Sequence, residues 1–230
     1  MKNIAIITAR GGSKRIPRKN IKEFLGNPIL AYSIEAALAS GSFDEVMVST
    51  DDKEIADVAV KYGANVPFFR SPETSNDFAT SADVIKEVLD KYASMGKQYD
   101  NFVCIYPTAP FITGEKLSKA IEMLCDAKAD TVMPVVPFSF PPQRGLIIKD
   151  GSLAFREPQY ALTRSQDLEP MYHDCGQFYA CSCASFEKHH ALVMPHTVPF
   201  IMPEEEVQDI DNFSDWNLAE LKYKMFLENK

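Results

Sequence analysis

Six basic residues, Arg10, Lys14, Arg15, Arg18, Lys19 and Lys22, fall within one short stretch that contains no acidic residue. They make up a quarter of the 24 lysines and arginines in a chain whose formal net charge is −8. The stretch runs Arg10-Gly11-Gly12-Ser13-Lys14-Arg15-Ile16-Pro17-Arg18-Lys19-Asn20 and follows the apolar run Ile4-Ala5-Ile6-Ile7. A short apolar run bounded by glycines reads as a buried strand of a parallel sheet. A glycine-containing basic loop at the carboxyl end of such a strand is suited to phosphate. Its glycines let backbone N–H groups turn inward, and its cations neutralise the oxyanions. The other reading, a solvated basic loop, is disfavoured by the concentration of cations in an acidic chain. The loop is therefore read as a polyphosphate site.

A second cluster lies near the other end, at Glu204-Glu205-Glu206-Val207-Gln208-Asp209-Ile210-Asp211. Two aspartates at i and i+2 on an extended segment share one face, so Asp209 and Asp211 can both reach one hard cation. Mg²⁺ is typically held by one or two carboxylates plus substrate phosphates. Asp211 as a helix cap beside an exposed Asp209 is the structural alternative, and the phosphate loop in the same chain favours the metal. The loop carries neither the G-x-G-x-x-G of dinucleotide folds nor the G-x-x-x-x-G-K-[ST] of ATPases, which excludes a hydride-transfer fingerprint and a P-loop.

The elements that must position these groups alternate along the chain. Strands are predicted at Asn3–Thr8, Glu45–Thr50, Asn65–Phe69, Asn101–Tyr106, Thr131–Val136, Gln177–Cys181 and Thr197–Met202. Helices are predicted at Ile29–Ser40, Lys53–Tyr62, Ser81–Met95, Gly114–Ala127 and Ser214–Glu228. This pattern specifies an α/β fold: three layers, Rossmann-like, with a mainly parallel sheet. The 230 residues, 46% hydrophobic, are read as one domain. The alternation fails across 137–175, a segment rich in proline, aromatics and arginine, which is read as an inserted subdomain, a lid or a dimer arm. The five cysteines lack zinc-like spacing and read as packed thiols of a cytoplasmic protein. No apolar run is long enough for a membrane span, the early start of the first strand leads us to expect no signal peptide, and the acidic balance argues against nucleic acid as a partner.

The opening strand followed by Arg-Gly-Gly-Ser-Lys and Lys-Asn resembles the signature of the CMP-sugar synthetases that activate nine-carbon acidic sugars. Asp209-Ile210-Asp211 is similar to that family's metal pair. Thr163-Arg164-Ser165-Gln166-Asp167-Leu168, Tyr172-His173-Asp174, Gly176 and Glu206-Val207-Gln208 resemble the pseudaminic acid branch. The resemblance implies a nucleotide-diphospho-sugar transferase type of fold with a dimerisation excursion. It implies CTP and an acidic nine-carbon sugar as substrates, Mg²⁺ as cofactor and a homodimer.

The resemblance also implies roles for individual residues. Arg10, Gly11, Ser13 and Lys14, with Ala9 at the strand's end, match the loop around the CTP phosphates. Lys19 and Asn20 match the phosphate and ribose end, while Arg70 and Ser81 match positions near cytosine and ribose. Arg10, Lys19 and Asp211 are the expected catalytic groups, with Asp209 and Asp211 on the metal. For Arg70 a surface arginine, and for Ser81 a helix cap, stand as alternatives. Sugar contacts are expected from Tyr106, Gln143, Arg144, Arg164, His173 and Gln177. Tyr106 stands where sialic acid synthetases carry a glutamine, and an aromatic face there suits a deoxy sugar. His173 is open between sugar ligand, base and structural histidine. Arg15 falls outside the matched positions and is expected to face solvent.

Overall fold

The computed structural model describes residues 1–228. In chain order, β1 (Asn3–Thr8) leads through the basic loop to a small ladder, β2 (Glu23–Phe24) and β3 (Asn27–Pro28). Then come α1 (Ile29–Ala39), β4 (Glu45–Ser49), α2 (Lys53–Lys61), α3 (Pro72–Ser75), α4 (Ser81–Ser94), β5 (Asn101–Ile105), α5 (Gly114–Asp126) and β6 (Thr131–Pro137). The arm contributes β7 (Leu146–Lys149) and β8 (Ser152–Phe155). It is followed by β9 (Tyr172–Asp174), β10 (Phe178–Ser182), α6 (Cys183–His189), β11 (Thr197–Ile201) and α7 (Phe213–Glu228).

The central sheet has the order β11-β6-β10-β5-β1-β4. Strands β4, β1 and β5 pair in parallel, as do β6 and β11, while β10 runs antiparallel between β5 and β6. The expected parallel sheet is thus mixed at its centre, because the arm returns the chain in the reverse direction. Strand β9 continues β10 along the same side of β6, with the chain deformed at Cys175-Gly176-Gln177. Gly176 has φ +60°, a left-handed conformation that glycine adopts without steric cost. The expected strand at Asn65–Phe69 is absent. Only Asn65 bridges to Met47, so β4 is the sheet's edge.

Alternate residues of each strand face opposite layers. Ala5, Ile7, Val48, Val103 and Ile105 pack against Leu30 and Ile34 of α1 and Leu117 and Ile121 of α5. Ile4, Ile6, Met47, Phe102 and Cys104 pack against Ile85, Val88 and Tyr92 of α4 and Phe186 of α6. Side-chain caps fix the starts of the helices. Asp52 accepts from Ile55 N on α2, Thr80 and Asp83 form a reciprocal capping box on α4, and Thr113 accepts from Lys116 N on α5. A third cluster matters most for function. It joins Ile16 of the basic loop and Ile210 of the acidic segment to Phe24, Ile29, Trp216 and Ala219. Burying an isoleucine fully contributes roughly 1.5–3 kcal/mol, so Ile16 and Ile210 hold the two charged segments to one anchor.

The 137–175 segment is more ordered than its composition suggests. Strands β7 and β8 pair antiparallel over four residues each, across an Asp150-Gly151 turn in which both residues have positive φ. Both strands are exposed on both faces, with Ile148 79% and Leu153 70% exposed, as is Phe140 nearby.

Candidate active site

The carboxyl ends of β1 and β5 open into a cleft of about 540 Å³, the position at which open α/β sheets bind ligands. Its lining includes Arg10, Ser13, Lys14, Lys19, Asn20, Arg70, Ser81, Tyr106, Asp209 and Asp211, all expected from the sequence. Segments nearly two hundred residues apart in the chain therefore face one another.

The basic loop is held by hydrogen bonds to its own scaffold. Asn20 Nδ2 donates to Arg10 O at 2.9 Å, and Gly11 N donates to Asp51 Oδ1 at 2.8 Å. The Gly11 N–H is therefore committed to a carboxylate, and the Ala9 N–H to Ser49 O at 2.9 Å. With its side chain fully buried, Ala9 shapes the strand's end and presents no side chain to the cleft. Arg10 and Lys14 both reach Asp77, at 2.8 and 2.5 Å, so two cations assigned to phosphate converge on one internal carboxylate. Asp77 carried no signal in the sequence: it is one polar residue in a polar turn.

Lys19 Nζ donates to Ile210 O at 2.7 Å, directly joining the basic and acidic segments. Burial lowers the Lys19 ammonium below the usual lysine value, against the pull of Asp211 and Asp209. Asp209 keeps its side chain at the edge of the cleft. Loss of water on its protein side nevertheless pushes its carboxyl above the ordinary range, helped by the Asp211 charge and opposed by Lys19. Arg15 is solvent-exposed as expected, with 67% of its side chain accessible, yet it also faces the site. It lines the cleft and pairs with Asp211 Oδ1 at 2.5 Å.

Asp211 does not cap the last helix. Asn212 Oδ1 accepts from Ser214 N and Asp215 N, and Asp215 Oδ2 accepts from Asp211 N and Asn212 N. The Asp211 carboxylate is thereby left for the cleft. Among the described residues no group of three or more His, Cys, Asp and Glu could hold a metal. The donors present, two crowded carboxylates facing a polyphosphate loop, suit Mg²⁺, which completes its coordination with phosphate oxygens and water.

The third wall is less polar. Arg70 is buried, donating to Ser49 Oγ at 3.1 Å and Ser49 O at 2.7 Å, and burial lowers its guanidinium below the usual value. It is not a surface arginine. Thr80, not Ser81, caps α4, so the Ser81 hydroxyl is free to meet Tyr106 OH at 3.4 Å inside the cleft. The Tyr106 ring packs edge-on to Tyr179 at 5.9 Å, and the Tyr179 hydroxyl donates to Asp174.

A second hollow of about 310 Å³ adjoins the cleft, with Asp209 in both linings. His173 and Asp174 line it, and the His173 ring packs on Phe138 with Nδ1 3.0 Å from Asp174 O. The remaining expected sugar contacts are not brought to either space. Gln177 is buried with its amide donating to Glu206 O, where it braces the acidic segment together with the Lys116–Glu206 pair and Lys222. Gln143 turns to Glu169 O, Arg144 to Ser165 and Arg164 to Asp167, all within the arm.

A cytidylyltransferase family profile matches residues 4–181. The chain belongs to the cytidylyltransferase family. A pseudaminic acid cytidylyltransferase from Campylobacter jejuni is 40% identical over 98% of this chain and 97% of that protein. The CMP-N,N'-diacetyllegionaminic acid synthase of Legionella pneumophila is 35% identical over 96% of this chain and 95% of that protein. A CMP:2-keto-3-deoxy-manno-octonic acid synthetase solved with CTP shares the fold, with a TM-score of 0.69 at 18% identity over 99% of this chain and all of that one. The enzyme is a nucleotidyltransferase, and no described helix is long and apolar enough to cross a membrane.

Proposed function

We propose that this cytidylyltransferase joins CTP to a nine-carbon acidic sugar, pseudaminic acid before its legionaminic and sialic relatives, releasing pyrophosphate. The observation that carries the reading is the single cleft in which Arg10, Lys14 and Lys19 oppose Asp209 and Asp211. Identity to a pseudaminic acid enzyme at 40%, against 35% for a legionaminic one, supports the choice of sugar. Tyr106, with its ring on Tyr179, gives the cleft an aromatic wall suited to a deoxy sugar.

In this reading Arg10 and Lys14 leave Asp77 for the triphosphate oxygens. Arg70 and Ser81 border the cytidine, and the sugar extends from the Tyr106 side of the cleft towards the adjoining hollow beside Asp209. The sugar's anomeric oxygen forms a bond to the α-phosphorus, the bond from that phosphorus to the α,β-bridging oxygen breaks, and pyrophosphate leaves. The hydroxyl proton passes to solvent. Such transfers need mainly positioning and charge neutralisation from the protein. Asp209 and Asp211 would hold Mg²⁺, which supplies charge stabilisation at the phosphate when bound. Pyrophosphate release from CTP with pseudaminic, legionaminic, sialic and octulosonic acids tests the reading. Release with none of them, at saturating Mg²⁺, overturns it.

The arm supports a homodimer. Its hairpin exposes apolar residues on both faces, and Arg144 and Arg164, which do not line their own chain's cleft, would complete the sugar site of a partner.

A further inference from the structure

The basic loop is tied at both ends to one turn that does not line the cleft. At one end, Gly11 N donates to Asp51 Oδ1 at 2.8 Å. Gly11 also lies so close to Asp52 that a Cβ there would come within 2.8 Å of its carboxylate, which excludes any larger residue without movement. At the other end, Arg18 Nη1 and Nη2 reach the two oxygens of Asp52 at 2.5 and 3.0 Å, and Nη2 also pairs with Glu54. Asp52 Oδ1 in turn caps α2 through Ile55 N at 3.0 Å. A guanidinium fork on both oxygens of a carboxylate is the geometrically specific form of an ion pair. Arg18 holds this position at φ 56°, a left-handed backbone that disfavours side chains other than glycine. Neither Arg18, Asp51 nor Asp52 lines the cleft.

We propose that Arg18 is a positioning residue. Its bond to Asp52, with Asp51 on Gly11, fixes the backbone from 11 to 18 so that Arg10, Lys14 and Lys19 converge on the triphosphate. The inference rests on the reading that this loop holds the CTP phosphates. A strained backbone retained for one bidentate contact, beside a glycine with no room for a side chain, is the arrangement of a loop whose shape matters.

Two substitutions break the clamp and spare its surroundings. Arg18→Gly removes the guanidinium and suits the left-handed backbone, while Asp52→Asn removes the charge and the Oδ2 half of the fork and keeps Oδ1 for the α2 cap. Titration of the full chain with CTP and Mg²⁺ should show a Kd raised on the order of tenfold in each, the scale of one charge-assisted hydrogen bond. Titration with CMP, which lacks the outer phosphates, should change less than about threefold, a difference that a general loss of folding would not produce. The double variant should bind CTP no more weakly than either single one, as for two partners in one interaction. Arg18→Lys, with charge but no fork, should recover only part of the affinity. An unchanged CTP Kd, equal weakening of CTP and CMP, or additive losses in the double variant would each overturn the proposal. Arg10→Ala and Lys14→Ala separate the two levels. If they weaken CTP while Arg18→Gly does not, only the clamp fails. If they do not, the phosphate loop itself is misassigned.

Discussion

In the proposed reading Asp211 is the residue on which the chemistry most depends: Asn212 and Asp215 take over the start of α7, so its carboxylate faces the cleft with Arg15 as partner. Asp211→Ala should lower turnover on the order of 10²–10³, the usual cost of removing one stabiliser of transition-state charge. The circular dichroism spectrum should stay unchanged, and near wild-type turnover at saturating Mg²⁺ would remove Asp211 from the site. Arg15→Ala, expected from sequence to be mild, should instead alter the Mg²⁺ dependence of the rate, since Arg15 competes for the same carboxylate. Arg10→Ala and Lys19→Ala should raise the KM for CTP. The residue types were legible in the sequence because charge clusters are visible in one dimension. The Arg15–Asp211 and Arg10–Asp77 pairs were not, because a pairing across the fold leaves no local signal.

Between β4 and α4, the short α3 and its turn place Asp77 on the cations of the basic loop. In the proposed reading the triphosphate displaces that carboxylate, so Asp77→Asn should tighten CTP binding in a calorimetric titration. Weaker binding would show instead that Asp77 orients Arg10 and Lys14 for the nucleotide. The same elements are locked by Glu87 of α4. Burial alone would raise its carboxyl, but Lys91, the Thr74 hydroxyl and the Ser71 amide and hydroxyl together hold it at about 2. A folded-state value below the unfolded one contributes stability above the ordinary glutamate range and loses it as pH falls towards about 2. Glu87→Gln should therefore flatten the acid limb of the unfolding curve below about pH 4.5, the ordinary value. An acid limb identical to wild type would refute this anchoring role. The helices were legible from apolar period and capping residues. The Asn65–Phe69 strand was expected from its apolar residues, and the structure forms only one bridge there.

For the whole molecule, the arm is the feature that a single chain leaves unfinished. Leu146, Ile148, Leu153 and Phe155 of the hairpin, with Phe138 and Phe140 before it, find no core of their own. Sedimentation at micromolar concentration should give a dimer, and a fully active monomer would exclude a shared sugar site. In the dimer, Arg164→Ala should raise the KM for the sugar much more than that for CTP, because in its own chain Arg164 reaches only Asp167. The interface anatomy expected is an apolar centre with a polar rim.

By itself the sequence determined the α/β alternation, the basic loop, the carboxylate pair and the irregular arm. Each is written in neighbouring residues, through period, charge and spacing. Tertiary structure decided which strand runs antiparallel, since β10 takes its direction from the path of the arm and from pairing with both β5 and β6. It also decided that Ser81 faces the cleft while Thr80 caps α4, a difference of one residue in helix start that composition does not register. Above all it brought Ile16 and Ile210 into one buried cluster. Hydrophobic contact is non-directional and independent of separation along the chain, so only the folded chain shows that the two charged segments form one site.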